Sequence, residues 1–396
     1  MDTARIRQNF PATARWTYLD TASTGPLPRS SSQAAQAFLA DAEVNARSNA
    51  LWRDGLDRAR AGFAALIRAD VSDIAFTKNA TEGVNIVAAG LGAAPGDNVV
   101  LCGVLEHPAN ITPWLALRAK GVELRLIAPD RQAIDADAVA AAVDSRTRAV
   151  AVSTVTFMPG FRTDLAPIAA AAKRHNALLL VDATQSVGVL QTDVGAMGVD
   201  ALATSTHKYL LGVYGQGFLY LAPKWADRLA ATFVATAGYR DPGAHPAASG
   251  FDWAETVGAR RFETGHAFAS SAIAAASLDL LLAAGPAAIE AHVMHLADDL
   301  ARGLSALAWP VNRDPFGQPQ SQLVTLGAIA DGDLYAVGDP ALQRLSAALD
   351  EAGVRHSARR GALRFAFHLF NDASDVAAAL AVAEAVRRSE KRPPAA

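Results

Sequence analysis

The chain has 396 residues, 51% of them hydrophobic, with 36 basic and 39 acidic side chains and a formal net charge of −3. That length allows a large domain and a smaller one, each with its own core, and that hydrophobicity excludes a disordered chain. Charges of both signs are interspersed, which excludes the basic stripe of a nucleic-acid surface, and the lone Cys102 excludes an internal disulfide and suits a reducing cytoplasm.

The opening stretch MDTARIRQNFPATARW lacks the apolar region of a secretory signal and reads as an N-terminal arm over 1–17. From Asp73 to Leu221, short apolar runs alternate with alanine-rich helical patterns. The runs are DIAF, DNVVLCGV, VELRLIA, RAVAVSTV, ALLLVDA, DALATS and GFLYLA. Runs apolar on both faces, spaced by helix-length segments, predict an α/β domain over 18–265 with a mostly parallel, helix-covered sheet. The pattern changes near Thr264-Gly265. A long helical stretch from Phe268 to about Leu307 precedes the strands QLVTLGAI and ALRFAFHLF, which predicts a smaller α+β domain over 266–388. Alanine-rich Ala272–Ala284 is too short for a membrane span. The tail 389–396 is polar, proline-bearing and expected to be disordered.

Ligands of open α/β sheets bind beyond the carboxyl ends of the strands, and the chemistry-bearing residues fall at such ends. Thr77-Lys78-Asn79-Ala80-Thr81 follows DIAF and opens a helix; free N–H groups and the Thr81 hydroxyl make either an anion site or a simple cap. His107 follows VVLCGV and can lie against an aromatic ring or satisfy a loop carbonyl. Asp182 closes ALLLVD, where a buried carboxylate needs a cation such as a protonated pyridine, unless it merely caps the next helix. Lys208 ends VDALATSTHK beside Ser205 and His207. A lysine at the mouth of a buried sheet is costly unless it has a task, and lysine is the side chain that forms Schiff bases with pyridoxal phosphate (PLP). Glu290, His292 and His295 share a predicted helix, but no third motif converges on them, so no metal is expected.

Taken in order, these segments resemble the class V aminotransferase family, the fold type I PLP enzymes that include cysteine desulfurases and isopenicillin N epimerase-like proteins. The resemblance runs from YLDTASTGPLP at Tyr18 to LRFAFHLFND at Asp372. It implies that Lys208 holds PLP as a Schiff base and shuttles protons at the substrate Cα. His107 would stack on the ring, Asp182 pair with the pyridinium and Gln185 face the phenolic oxygen. The backbone of Ala80, with Thr81, Ser205 and His207, would hold the phosphate, and Arg364 the substrate carboxylate through its planar fork. A homodimer with active sites at the subunit interface follows from the same resemblance.

Three departures stand out. The stretch Gly353–Gly361, where desulfurases carry a nucleophilic cysteine, has none, and Cys102 lies in an apolar run. Phe157 stands where desulfurases have an asparagine beside cofactor and substrate. His266 stands where relatives often have a threonine that reaches the partner's phosphate. The expectation is a PLP enzyme acting on a small amino acid, with aminotransfer foremost. A β-eliminating C–S lyase and an amino-acid epimerase are the alternatives. A PLP-binding protein without turnover is the rival outside enzymology, against which Lys208 and Arg364 together argue.

Overall fold

The computed structural model describes residues 2–46, 50–239, 255–330 and 333–390, so most of the expected tail, 391–396, lies outside the described residues. Its strands are β1 (Thr17–Tyr18), β2 (Ile74–Thr77), β3 (Asn98–Leu101), β4 (Glu123–Leu126), β5 (Thr147–Ser153), β6 (Leu178–Asp182), β7 (Ala201–Ser205), β8 (Gly217–Leu221), β9 (Leu323–Leu326), β10 (Val354–Arg355), β11 (Ser357–Arg359) and β12 (Ala362–Ala366). Its helices are α1 (Thr3–Gln8), α2 (Arg29–Asn45), α3 (Ala50–Ile67), α4 (Ala80–Gly90), α5 (Leu115–Arg118), α6 (Ala136–Ala141), α7 (Leu165–His175), α8 (Pro223–Arg228), α9 (Phe268–Ala284), α10 (Pro286–Ala306), α11 (Pro340–Glu351) and α12 (Ala373–Glu390).

Seven strands form one sheet in the order β2-β8-β7-β6-β5-β3-β4. All neighbours from β4 to β7 are parallel, while β8 runs antiparallel to both β7 and β2. The carboxyl ends of β2, β3, β5, β6 and β7 therefore open on one edge, and β8 begins there. The two-residue side-chain period divides each central strand between two cores. Val150, Val152, Leu179 and Val181 join one, and Ala149, Ala151, Leu178 and Leu180 join the other. Burial on both faces explains why these runs are apolar throughout. The run VELRLIA differs: β4 is an edge strand and only partly covered.

Capping follows the sequence closely. Asp164 accepts from Ala166 N at the start of α7, and Asn176 ends that helix at φ 53°. The stretch read as one helix from Phe268 is two helices bent by 79°, because Gly285 adopts φ 84° and Pro286 starts α10. No single described helix is long and apolar enough to cross a membrane. The expected boundary at Thr264-Gly265 falls ahead of α9, which packs on α2 and α3, whereas α10 reaches α12 and β9.

A separate antiparallel sheet runs in the order β11-β12-β9. The N-terminal strand crosses to it, since β1 pairs in parallel with β10 and Asp20 bridges to Ala366. Residues 20–25 are thereby drawn across the open edge of the large sheet. Gly25 fits there because a Cβ would stand 2.2 Å from the Lys208 carbonyl oxygen.

Candidate active site

A cavity of about 400 Å³ opens at the shared strand ends, bounded on one side by the N-terminal crossing and on the other by β11 and β12. It is lined by Ala80, Thr81, His107, Phe157, Asp182, Gln185, Ser205, His207, Lys208 and Arg364, so ten of the eleven expected residues converge on one space. His266 does not line it. That residue is exposed beside Glu263, with its ring edge-on to Phe76 and Phe268.

Lys208 follows β7 in a tightly held turn. Thr206 Oγ1 donates to the Val213 carbonyl at 2.7 Å, and Gly212 N donates to the Thr206 carbonyl at 2.8 Å. Gly25 N donates to the His207 carbonyl at 2.8 Å, and His368 Nε2 lies 2.9 Å from the Tyr209 carbonyl. The lysine is thus held by its backbone on both sides while its amine faces the cavity. Desolvation and the neighbouring Arg364 bring that amine down to about 8 from an ordinary 10.5.

Ser205 Oγ accepts from Ala80 N at 2.9 Å, so the end of β7 meets the N-terminus of the eleven-residue α4. His207 stacks on Tyr214 with centroids 3.9 Å apart. Desolvation, with the charge of Lys208, lowers its imidazole to about 4, which leaves a neutral ring. His107 is likewise shifted down, by desolvation and then by Lys208. Its Nδ1 accepts from Ala109 N at 3.1 Å, so a backbone amide satisfies it instead of a loop carbonyl, and its ring meets Phe157 edge-on at 5.1 Å.

Asp182 Oδ1 accepts from Thr184 N at 2.9 Å, and among the described residues no cationic side chain lies within ion-pair distance of it. Arg364, at 0% exposure, is also without a carboxylate partner. Its Nε donates to Ser357 Oγ at 3.2 Å and its Nη1 to the Phe157 carbonyl at 3.2 Å. Burial lowers its guanidinium to about 10. A buried carboxylate and a buried guanidinium, facing one cavity and not paired with each other, each call for an external partner of opposite charge. Thr184 Oγ1 and Gln185 Oε1 are buried without a hydrogen-bond partner on the same wall.

The crossing segment contributes Ala22, Ser23 and Thr24, the later loops Tyr214 and Tyr335, and β11 Arg359. None was singled out from sequence, although Ser23 and Thr24 lie inside the quoted YLDTASTGPLP. Cys102 is buried, with its thiol pushed up to about 12 by desolvation and by Glu106. Glu290, His292 and His295 go separate ways: to Arg162 and Gln191, to the Asn371 carbonyl at 2.8 Å, and to Asp299.

A family model described as aminotransferase class-V matches residues 17–378. A probable cysteine desulfurase of Methanothermobacter thermautotrophicus is 38% identical over 226 residues, 56% of this chain and 56% of that protein. A probable cysteine desulfurase of Pseudomonas aeruginosa is 30% identical, covering 93% of this chain and 94% of the relative. The chain matches about half the length of the first of these and of two others, at 56%, 50% and 46%. The solved structure of the cystine C–S lyase C-DES with its reaction product cysteine persulfide superposes with a TM-score of 0.81 at 26% identity, covering 95% of this chain and 99% of that one. A lysine variant of C-DES was solved with glycine covalently linked to its PLP cofactor.

Proposed function

This chain belongs to the class V aminotransferase family, whose members are PLP-dependent enzymes of fold type I, and from that premise we propose that it transfers the amino group of a small amino acid. The observation that carries the reading is the placement of Lys208, with an amine near 8, in one cavity with Asp182 and the buried Arg364.

The residues present fit PLP. Lys208 Nζ is the attachment point, Asp182 the partner of the pyridine nitrogen, and His107 the residue against the ring. Thr184 and Gln185, with buried polar atoms unpaired, face its polar edge. Ser205, His207 and Thr81 would hold the phosphate at the N-terminus of α4, where the Ala80 amide, expected as a direct donor, instead donates to Ser205 Oγ and orients that hydroxyl. Bound PLP supplies the electron sink that makes the substrate Cα–H acidic. Arg364 holds the substrate carboxylate, and Phe157 walls that subsite beneath it. Lys208, once displaced by the substrate amine, would take the Cα proton as base and return it as acid, with water supplying the oxygen of the keto acid released and a second keto acid accepting the nitrogen.

The desulfurase route of its relatives needs a thiolate, and the only thiol of this chain is buried and held protonated. Aminotransfer requires no protein nucleophile beyond Lys208. A second reading, β-elimination from a sulfur amino acid, is favoured by the likeness to the C–S lyase C-DES. The reading also includes a homodimer in a reducing cytoplasm, the dimer resting on the family resemblance and the compartment on a single buried cysteine.

The test is to follow cofactor absorbance while amino acids are added singly to the purified protein. Conversion to the amine form with keto-acid release supports aminotransfer. Ammonia and pyruvate would replace it with elimination, and loss of optical rotation alone would mean epimerisation. No response to any amino acid would indicate a binding protein without turnover.

A further inference from the structure

Arg364 has a neighbour of the same charge. Ser357 and Arg364 are directly paired across the β11–β12 ladder, and Arg359 lies two residues from Ser357. The two-residue period therefore puts both arginines on one face of the hairpin, and both line the cavity. They converge on one hydroxyl: Ser23 Oγ accepts from Arg359 Nη2 at 2.7 Å and from Arg364 Nη2 at 3.2 Å, and donates to Asp20 Oδ1 at 2.8 Å.

The remaining partners of Arg359 carry no net charge. Its Nη1 donates to the Ala358 carbonyl at 2.7 Å, and its guanidinium lies 5.0 Å from the Tyr335 ring centroid. Among the described residues no carboxylate lies within ion-pair distance of it. Two guanidiniums sharing one neutral oxygen repel each other, and the acid bonded to that oxygen, Asp20, reaches them only through it. One α-carboxylate on Arg364 would leave the second fork, half-buried and facing the same space, without an anion.

We propose that the substrate is an acidic amino acid, whose short side chain ends in a carboxylate or sulfinate held by Arg359 while Arg364 holds the α-carboxylate. This rests on the reading of the cavity as a PLP site for amino acids. Bidentate guanidinium pairing favours planar oxyanions, which makes carboxylate and sulfinate the two sources to separate by experiment.

The holoprotein is titrated with L-aspartate, L-cysteine sulfinate, L-alanine and L-2-aminobutyrate, and apparent dissociation constants are read from the cofactor spectrum. At least one acidic amino acid is expected to bind about tenfold or more tighter than alanine, as one further charge-assisted contact allows. The better of aspartate and cysteine sulfinate identifies the terminal group. In Arg359→Ala the acidic-to-alanine ratio should collapse towards one, and Arg359→Lys should recover part of it. Calorimetry of the apoprotein with succinate and propionate gives a readout free of turnover, with succinate preferred only while Arg359 is present. Equal binding of acidic and neutral amino acids would overturn the proposal. So would an unchanged ratio in Arg359→Ala, the result expected if both arginines grip one α-carboxylate. A protein that takes up no PLP would defeat the cofactor reading itself, and the proposal with it; a PLP-loaded protein with no acidic preference defeats the proposal alone.

Discussion

An unperturbed lysine at pH 7 is unprotonated in about one molecule in three thousand, and only the free amine attacks an aldehyde. With its amine near 8, Lys208 is unprotonated in about one molecule in ten, because burial and Arg364 both oppose the charge. The rate of PLP uptake by the apoprotein should therefore rise with pH up to about 8 and level off above 9. Stopped-flow absorbance would measure it, and a rate still climbing in proportion to hydroxide at pH 10 would mean an ordinary lysine. Lys208→Ala should abolish the reducible covalent link and lower turnover by about 10³-fold or more, with far-ultraviolet dichroism unchanged. A reducible adduct persisting in that variant would assign attachment elsewhere. Arg364→Lys keeps the charge but loses the planar fork, so it should raise KM for amino acids about tenfold or more while sparing PLP affinity.

Two close contacts between elements hold the lysine turn in place. Gly188, at φ 99°, would put a Cβ 2.2 Å from the Tyr209 carbonyl oxygen, so the turn after β7 rests directly on the turn after β6. Gly188→Ala should lower the unfolding free energy by about 2 kcal/mol or more and weaken PLP binding, read by thermal unfolding and cofactor titration. Glu106 braces the end of β3 against β5: it accepts from Ser153 N at 2.6 Å, from the Ser153 hydroxyl and from Asn110 Nδ2 at 3.1 Å. Burial raises its carboxyl to about 7, so the folded chain binds a proton that the unfolded chain has lost between pH 4.5 and 7. Its contribution is present below 4.5 and lost as pH rises through 7. Denaturant titrations of Glu106→Gln should show a flatter pH profile in that window, by roughly 1–3 kcal/mol. The strands that bear these residues were legible because each is an apolar run ended by a polar group, which is why Asp182, Ser205, His107 and Lys208 could be placed at strand ends. Ser23, Arg359 and Tyr335 were not. Ser23 and Arg359 reach the cavity through β1–β10 and β11, whose two- and three-residue strands carry no periodic signal, and Tyr335 comes from the turn ahead of α11.

On the scale of the whole molecule, the chain closes its own site with its N-terminal crossing but leaves His266 outside. The edge strand β2 is anchored by a buried pair, Arg60 with Glu263 at 2.5 Å, and Glu263 also accepts from Phe76 N at 2.9 Å. The segment that follows Glu263 therefore leaves the sheet from a fixed point, and it carries an exposed His266 whose ring burial has shifted downward. An imidazole presented there has a ring N–H to offer a second subunit. Sedimentation equilibrium should give twice the 41.3 kDa chain mass. If His266 reaches the phosphate bound by the partner, His266→Ala should weaken PLP binding about three- to tenfold, the size of one lost hydrogen bond. The difference from the unsubstituted protein should vanish on dilution to monomers, because the contact then has no second subunit to reach. A defect that survives dilution would confine the effect of His266 to its own chain, through Glu263 and β2.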